Sequence, residues 1–237
     1  VLIFFDIDAT LLSTDGMGVR AMLQAGRDLH GSAFRPGDVP CSGRLDPLII
    51  RDLLASSGIE PTRERCGAMR QAYARRLREA FDGSHTARPL PGAVELLDAL
   101  DRLPETVPAI LTGNFAETGG LKLERCGLPP SRFLLHVWGD QSPSEPPTRD
   151  DLPRVGLERY ARVFGRSPPA DRVWVVGDTP HDIRAARANG LRSLGVATGR
   201  YSQDELCRSG ADAVVPDLSD TGRVLSILRG PARGARV

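Results

Sequence analysis

The sequence predicts a three-layer α/β fold with a mainly parallel sheet, interrupted by a helical insertion. Three features carry this expectation. Short, continuous apolar runs recur along the chain and end in polar or glycine clusters, as strands covered on both faces require. Helix-like stretches separate those runs, which is the rhythm of βαβ units. One long stretch near the start holds helical segments and no convincing strand.

The apolar runs are 1–5 before Asp6, 107–111 before Thr112, 133–137 before Trp138-Gly139-Asp140 and 173–176 before Gly177-Asp178. Further strands are expected over 191–197 and 213–215, and helices over 93–103, 118–126, 152–164 and 181–188. In an open parallel sheet, ligands bind beyond the carboxyl ends of the strands, and the polar clusters all fall at that edge. The exceptional stretch carries helical patterns at 19–29, 47–57 and 61–81. The chain therefore divides into a core of residues 1–14 and 89–237 and a helical insertion of residues 15–88. The limits fall in Ser13-Thr14-Asp15-Gly16 and Ala87-Arg88-Pro89-Leu90-Pro91-Gly92, both turn-rich and suited to hinges.

At 237 residues the chain is long enough for a large domain carrying a smaller insertion. Thirty-one Lys and Arg against thirty Asp and Glu leave a net charge of +1, so no overall field recruits nucleic acid or an anionic membrane. The arginine-rich helix 63–78 is expected to be a solvated face, and the Gly-, Ala- and Arg-rich tail 229–237 to fray. Cys41, Cys66, Cys126 and Cys207 lie far apart without metal-ligand spacing and read as reduced thiols. The opening apolar run stops at Asp6, too short for a secretory or membrane-spanning segment, so a cytoplasmic chain is expected, monomeric by default with a dimer open.

Three motifs carry chemistry. Asp6-Ile7-Asp8-Ala9-Thr10-Leu11 follows the first strand, and carboxylates at i and i+2 of an extended chain share one side. An Asp pair at a strand end also serves as a turn or helix cap. Leu111-Thr112-Gly113-Asn114 offers a hydroxyl and backbone N–H groups to a phosphoryl oxygen, or is an ordinary strand-to-loop turn. Gly177-Asp178-Thr179-Pro180-His181-Asp182 supplies two more carboxylates, hard oxygen ligands of the kind Mg²⁺ takes. Asp182 equally suits a helix cap, and His181 an exposed loop. The conjunction favours a site: four acidic side chains at one sheet edge repel one another unless a cation sits among them.

In these three motifs, in this order, the chain resembles the haloacid dehalogenase superfamily of phosphatases, near the phosphoglycolate phosphatase-like branch with a helical cap. The resemblance covers nearly the whole chain and implies a Rossmann-like core. It further implies that Asp6 attacks phosphorus and becomes an aspartyl phosphate, while Asp8 is the general acid and then the base. Thr112, with Gly113 and Asn114, would hold the transferring group. Mg²⁺ would be bound by Asp6, the main-chain carbonyl of Asp8 and Asp178, with Asp182 binding directly or through water. The implied substrate is a small phosphorylated metabolite.

Two departures from the family pattern stand out. Ala9 occupies a position where the family usually has Gly, so a methyl group is tolerated there at negative φ and strained at positive φ. The family's third-motif lysine is missing, because Lys122 is the only Lys and lies too early in the chain. Arg149 is the expected substitute and Arg154 the runner-up, since either guanidinium can grip phosphoryl oxygens. In the insertion, Ser42-Gly43-Arg44-Leu45-Asp46-Pro47 resembles a substrate-specificity loop, with Arg44 reaching the leaving group, while Asp46 and Pro47 also fit a helix start. Phosphoglucomutase-type transfer to a sugar, or a non-catalytic binding module, are the alternatives to hydrolysis. A dehalogenase needs neither Asp8 as acid nor a metal.

Overall fold

The computed structural model describes residues 1–83 and 86–230. In chain order the elements are β1 (Leu2–Phe5), β2 (Leu12–Ser13), α1 (Met17–His30), α2 (Asp46–Ser56), α3 (Arg63–Asp82), β3 (Arg88–Pro89), α4 (Ala93–Asp101), β4 (Val107–Leu111), α5 (Ala116–Arg125), β5 (Leu135–Val137), α6 (Leu152–Phe164), β6 (Val173–Gly177), α7 (Pro180–Ala188), β7 (Arg192–Val196), α8 (Gln203–Arg208), β8 (Ala213–Val215) and α9 (Thr221–Arg229).

Six strands form one sheet in the order β5-β4-β1-β6-β7-β8, and every pairing in it is parallel. Alternation along each strand divides its side chains between two cores. Ile3, Phe5, Ile110 and Trp174 pack against Leu96 and Leu97 of α4, Leu123 of α5 and Leu228 of α9. Leu2, Phe4, Leu111 and Val175 face the other way, onto Leu152 of α6 and Ala186 of α7. With helices on both faces the central strands β1, β4 and β6 have no polar side, which is why they read as continuous apolar runs.

The insertion builds its own core, in which Met22 of α1, Leu53 and Leu54 of α2, and Tyr73 and Phe81 of α3 are buried. Phe115 of the main domain enters this cluster and anchors the two units to each other. Where the chain leaves and re-enters the main domain, β2 and β3 pair antiparallel, Leu12 opposite Pro89 and Ser13 opposite Arg88. The sequence suggested only turns at these limits; two-residue strands are too short to show a periodic pattern.

Other differences are local. Strand β5 starts at Leu135 rather than 133, because Pro129 and Pro130 set up a 3-10 turn over Pro130–Arg132. Helices α8 and α9 were not anticipated. Each is short and announced mainly by its cap, Ser202 accepting from the Glu205 N–H and Asp220 from the Arg223 N–H. On α3, Arg63, Arg65, Arg75 and Arg78 are exposed as expected, but Arg70 is not a free solvated side chain. The expected fraying beyond residue 230 lies outside the described residues. The four cysteines are unpaired thiols. No helix among the described residues is long and apolar enough to cross a membrane.

Candidate active site

Strand β1 lies between β4 and β6, so the residues that leave these three strands emerge side by side. The ladder runs to the last residue: the Asp6 N–H donates to the Val176 carbonyl at 2.9 Å and the Thr112 N–H to the Val137 carbonyl at 3.0 Å. Asp6, Asp178 and Asp182 are buried and offer carboxylate oxygens that lie within 4.8 Å of one another. Asp6 is followed by a tight turn in which the Leu11 and Leu12 N–H groups both donate to the Ile7 carbonyl. That turn requires φ of +57° at Ala9, the strained case for an L residue.

Arg149 comes to this trio from a 3-10 turn over Arg149–Asp151, whose start is capped by the Thr148 hydroxyl accepting from the Asp150 N–H. Its Nη2 stands 3.1 Å from Asp6 Oδ1 and 2.6 Å from Asp182 Oδ1, with all three side chains out of solvent. Arg149 Nε is buried without an acceptor among the described residues. Arg154 points elsewhere, half exposed and paired with Glu158 at 2.9 Å. Asp182 has two roles at once: Oδ1 receives Arg149, while Oδ2 accepts from the Thr179 N–H and hydroxyl as part of the capping box of α7. His181, expected to be exposed, is half-buried in the first turn of that helix, where burial lowers its basicity.

Burial governs the ionisation of the trio. It pushes Asp178 up to about 8, helped by the negative Asp182 and Asp6. It also raises Asp6 to about 6, against the opposing pull of Arg149. Three carboxylates share one guanidinium, so the set is short of positive charge. An all-oxygen donor set of this size is what a hard divalent cation takes.

Of the four acidic side chains expected at this edge, three form the close trio; the Asp8 carboxylate lines the same cavity but pairs with Lys122 Nζ at 2.7 Å. Lys122 lies too early in the chain to be the third-motif lysine. It is nevertheless in the site: α5 turns Thr118, Gly119, Lys122 and Leu123 inward, and the lysine as a whole is only 4% exposed. Burial pulls its pKa down, but Asp8, Tyr73 and Asp46 outweigh that and hold it above the ordinary lysine value. Asn114 completes a triangle, accepting from Lys122 Nζ at 2.6 Å and donating from Nδ2 to Asp8 Oδ2 and Thr112 Oγ1, both at 2.8 Å. The only trace in the sequence was that the chain's sole Lys falls inside the helix expected over 118–126.

The insertion closes the site from the other side. Its 41–46 loop touches the Thr112-Gly113-Asn114 turn so closely that a Cβ on Gly113 would lie 2.1 Å from the Arg44 carbonyl oxygen. The Asp46 N–H donates to the Gly113 carbonyl at 2.8 Å. The Asp46 carboxylate does not cap its own helix, as the sequence suggested; α2 begins at Asp46 after Leu45, with no side-chain cap. It accepts instead from the Phe115 N–H at 3.2 Å and lies beside the Thr118 hydroxyl, at the start of α5 in the main domain. Burial pushes this carboxyl up to about 7 although Lys122 pulls the other way. Arg44 lines the cavity, but its guanidinium is engaged by Asp52 at 2.5 Å and the Pro40 carbonyl at 2.9 Å. Between the two units lies a cavity of about 330 Å³ reached by Asp6, Asp8, Thr112, Lys122, Arg149 and Asp178.

Comparison with known proteins agrees with this architecture. A family model described as haloacid dehalogenase-like hydrolase matches residues 3–187, and one described as HAD-hydrolase-like matches residues 154–221. The chain is 28% identical over 228 residues to the probable phosphatase IndB of Dickeya dadantii, covering 92% of this chain and 90% of that protein. Among solved structures, a hydrolase from Pseudomonas syringae superposes with a TM-score of 0.70 at 26% identity, over 96% of this chain and 98% of that one. CbbY from Rhodobacter sphaeroides in complex with phosphate gives a TM-score of 0.72 at 20% identity, over 93% and 96% of the two chains, a likeness of fold.

Proposed function

Because the chain belongs to the haloacid dehalogenase-like hydrolase family, we propose that it is a phosphatase that hydrolyses a small phosphomonoester with Mg²⁺, through an aspartyl phosphate on Asp6. The observation that carries this reading is the buried Asp6 carboxylate, 3.1 Å from a guanidinium and inside an acidic trio that calls for a cation.

In this scheme an Asp6 oxygen attacks phosphorus and the ester oxygen departs. The Thr112 hydroxyl, the Gly113 N–H and Asn114 hold the phosphoryl oxygens. Arg149, the surrogate for the family's lysine, neutralises them and keeps the Asp6 carboxylate in place; its unpartnered Nε is a donor in waiting. Asp8 protonates the leaving oxygen and then takes a proton from the water that attacks the acyl phosphate, one group serving both half-reactions. Asp6, the main-chain carbonyl of Asp8 and Asp178 would hold Mg²⁺, with Asp182 directly or through water; the ion supplies charge neutralisation and polarises the phosphoryl group.

The insertion acts as a cap. Its contacts along the 41–46 loop exclude water from the site, and the β2–β3 ribbon is the place where it would hinge. A cavity of about 330 Å³ limits the substrate to a small molecule. Support for phosphate ester chemistry also comes from the name of the Dickeya relative, a probable phosphatase.

The test is a panel of phosphomonoesters with Mg²⁺ and with EDTA, followed by Asp6→Asn. Phosphate release that needs Mg²⁺, disappears in Asp6→Asn and is accompanied by an acid-trapped acyl phosphate in the wild type supports the scheme. Full activity in Asp6→Asn removes it.

A further inference from the structure

The Lys122–Asn114–Asp8 triangle contains more order than charge pairing requires. Asp8 Oδ2 receives both donors, Lys122 Nζ at 2.7 Å and Asn114 Nδ2 at 2.8 Å. Among the described residues Oδ1 receives none. The carboxylate as a whole remains 40% exposed, facing the cavity, while the lysine that grips it is almost fully buried. Taking an ammonium out of water is costly, and an apolar side chain of the same length would fill its place without that cost. Stability alone therefore gives no reason for a lysine here.

The cap makes room for it. A Cβ at Gly18 of α1 would stand 3.1 Å from Lys122 Nζ and 3.4 Å from the Tyr73 hydroxyl, so the helix backbone passes close to the ammonium where a larger side chain would crowd it. In this arrangement α1 of the insertion covers the ammonium that grips Asp8.

We propose that Lys122 is a positioning residue: it and Asn114 fix one oxygen of Asp8 so that the other faces the leaving group and carries the proton. The inference rests on the assignment of Asp8 as general acid and extends it. As the Asp6 oxygen–phosphorus bond forms and the ester P–O bond breaks, the electron pair stays on the leaving oxygen, which takes the proton from Asp8. A carboxyl free to rotate would spend part of its time out of reach, and misplacement of this kind costs about 100-fold.

An alkoxide needs that proton to leave and a nitrophenolate does not, so two esters separate a role through Asp8 from a role in folding or phosphate binding. The experiment measures kcat/KM for glycerol phosphate and for p-nitrophenyl phosphate in wild type, Lys122→Met and Lys122→Gln, all with Mg²⁺. Since kcat/KM reports the first phosphoryl transfer, the ratio between the two esters cancels any loss of folded enzyme. The expected result is a fall in the glycerol phosphate to p-nitrophenyl phosphate ratio of about 100-fold in both variants. An unchanged ratio, whatever the absolute rates, overturns the positioning role. Wild-type protein that releases phosphate from no member of the phosphomonoester panel overturns the phosphatase reading itself, a different and recognisable failure.

Discussion

Arg149 stands with one nitrogen, Nη2, 3.1 Å from Asp6 Oδ1, inside a pocket where neither side chain meets solvent. The same nitrogen holds Asp182 Oδ1 at 2.6 Å, so the strand-end carboxylate and the helix carboxylate are fixed relative to each other through one guanidinium.

Removing that guanidinium leaves two buried carboxylates uncompensated. Arg149→Ala is expected to destabilise the fold by about 3–5 kcal/mol and to reduce turnover to near background. Arg154→Ala removes only an exposed pair and changes stability by about 0.5 kcal/mol or less. Denaturant melts and phosphate release on the two variants check this, and the opposite ranking would transfer the role to Arg154.

Asp46 makes stability pH-dependent. Its carboxyl is pushed from 3.8 to about 7 on folding, so the folded chain holds a proton that the unfolded chain releases. The sign follows: this contribution is full below the unfolded value and is lost as pH rises through about 7. Asp46→Asn, which keeps an acceptor for the Phe115 N–H, should flatten that dependence and gain on the wild type at alkaline pH, by on the order of a few kcal/mol at most. Parallel stability curves for the two proteins between acid and alkaline pH would refute the assignment.

The insertion is held against the main domain partly by Arg70 of α3, which bridges to Glu117 at 2.5 Å and Asp140 at 2.8 Å and lies 4.1 Å over the Phe115 ring; if the insertion works as the proposed cap, these contacts favour its closed position. A half-exposed ion pair with a cation–π contact is worth about 1–2 kcal/mol. Arg70→Ala should then reduce the closed population by about 5- to 30-fold. Its signature is a raised KM that high salt reproduces in the wild type; salt-independent kinetics in both proteins would contradict it.

Ala9 is expected to tolerate glycine. A left-handed L residue costs about 1–2 kcal/mol, and the added freedom of an unfolded Gly offsets about 0.4–1 of this. Ala9→Gly should therefore leave the melting temperature unchanged or raise it, whereas a clear fall would mean that the methyl group contributes packing which outweighs its strain.

The sequence by itself determined the parallel α/β sheet, the helical insertion and the strand-end position of Asp6, Thr112 and Asp178. Those features are local or periodic: a strand covered on both faces must be apolar throughout, and a residue that ends it must lie at the sheet edge. The pairing of Lys122 with Asp8 spans 114 positions and that of Asp46 with Phe115 spans 69, and no local pattern encodes either. The choice of Arg149 over Arg154 likewise depended on which way a 3-10 turn faces. Only the tertiary structure decided these contacts, because they join residues far apart in the chain at the buried edge of the sheet and at the face of the insertion against it, and burial there sets which charges must find each other.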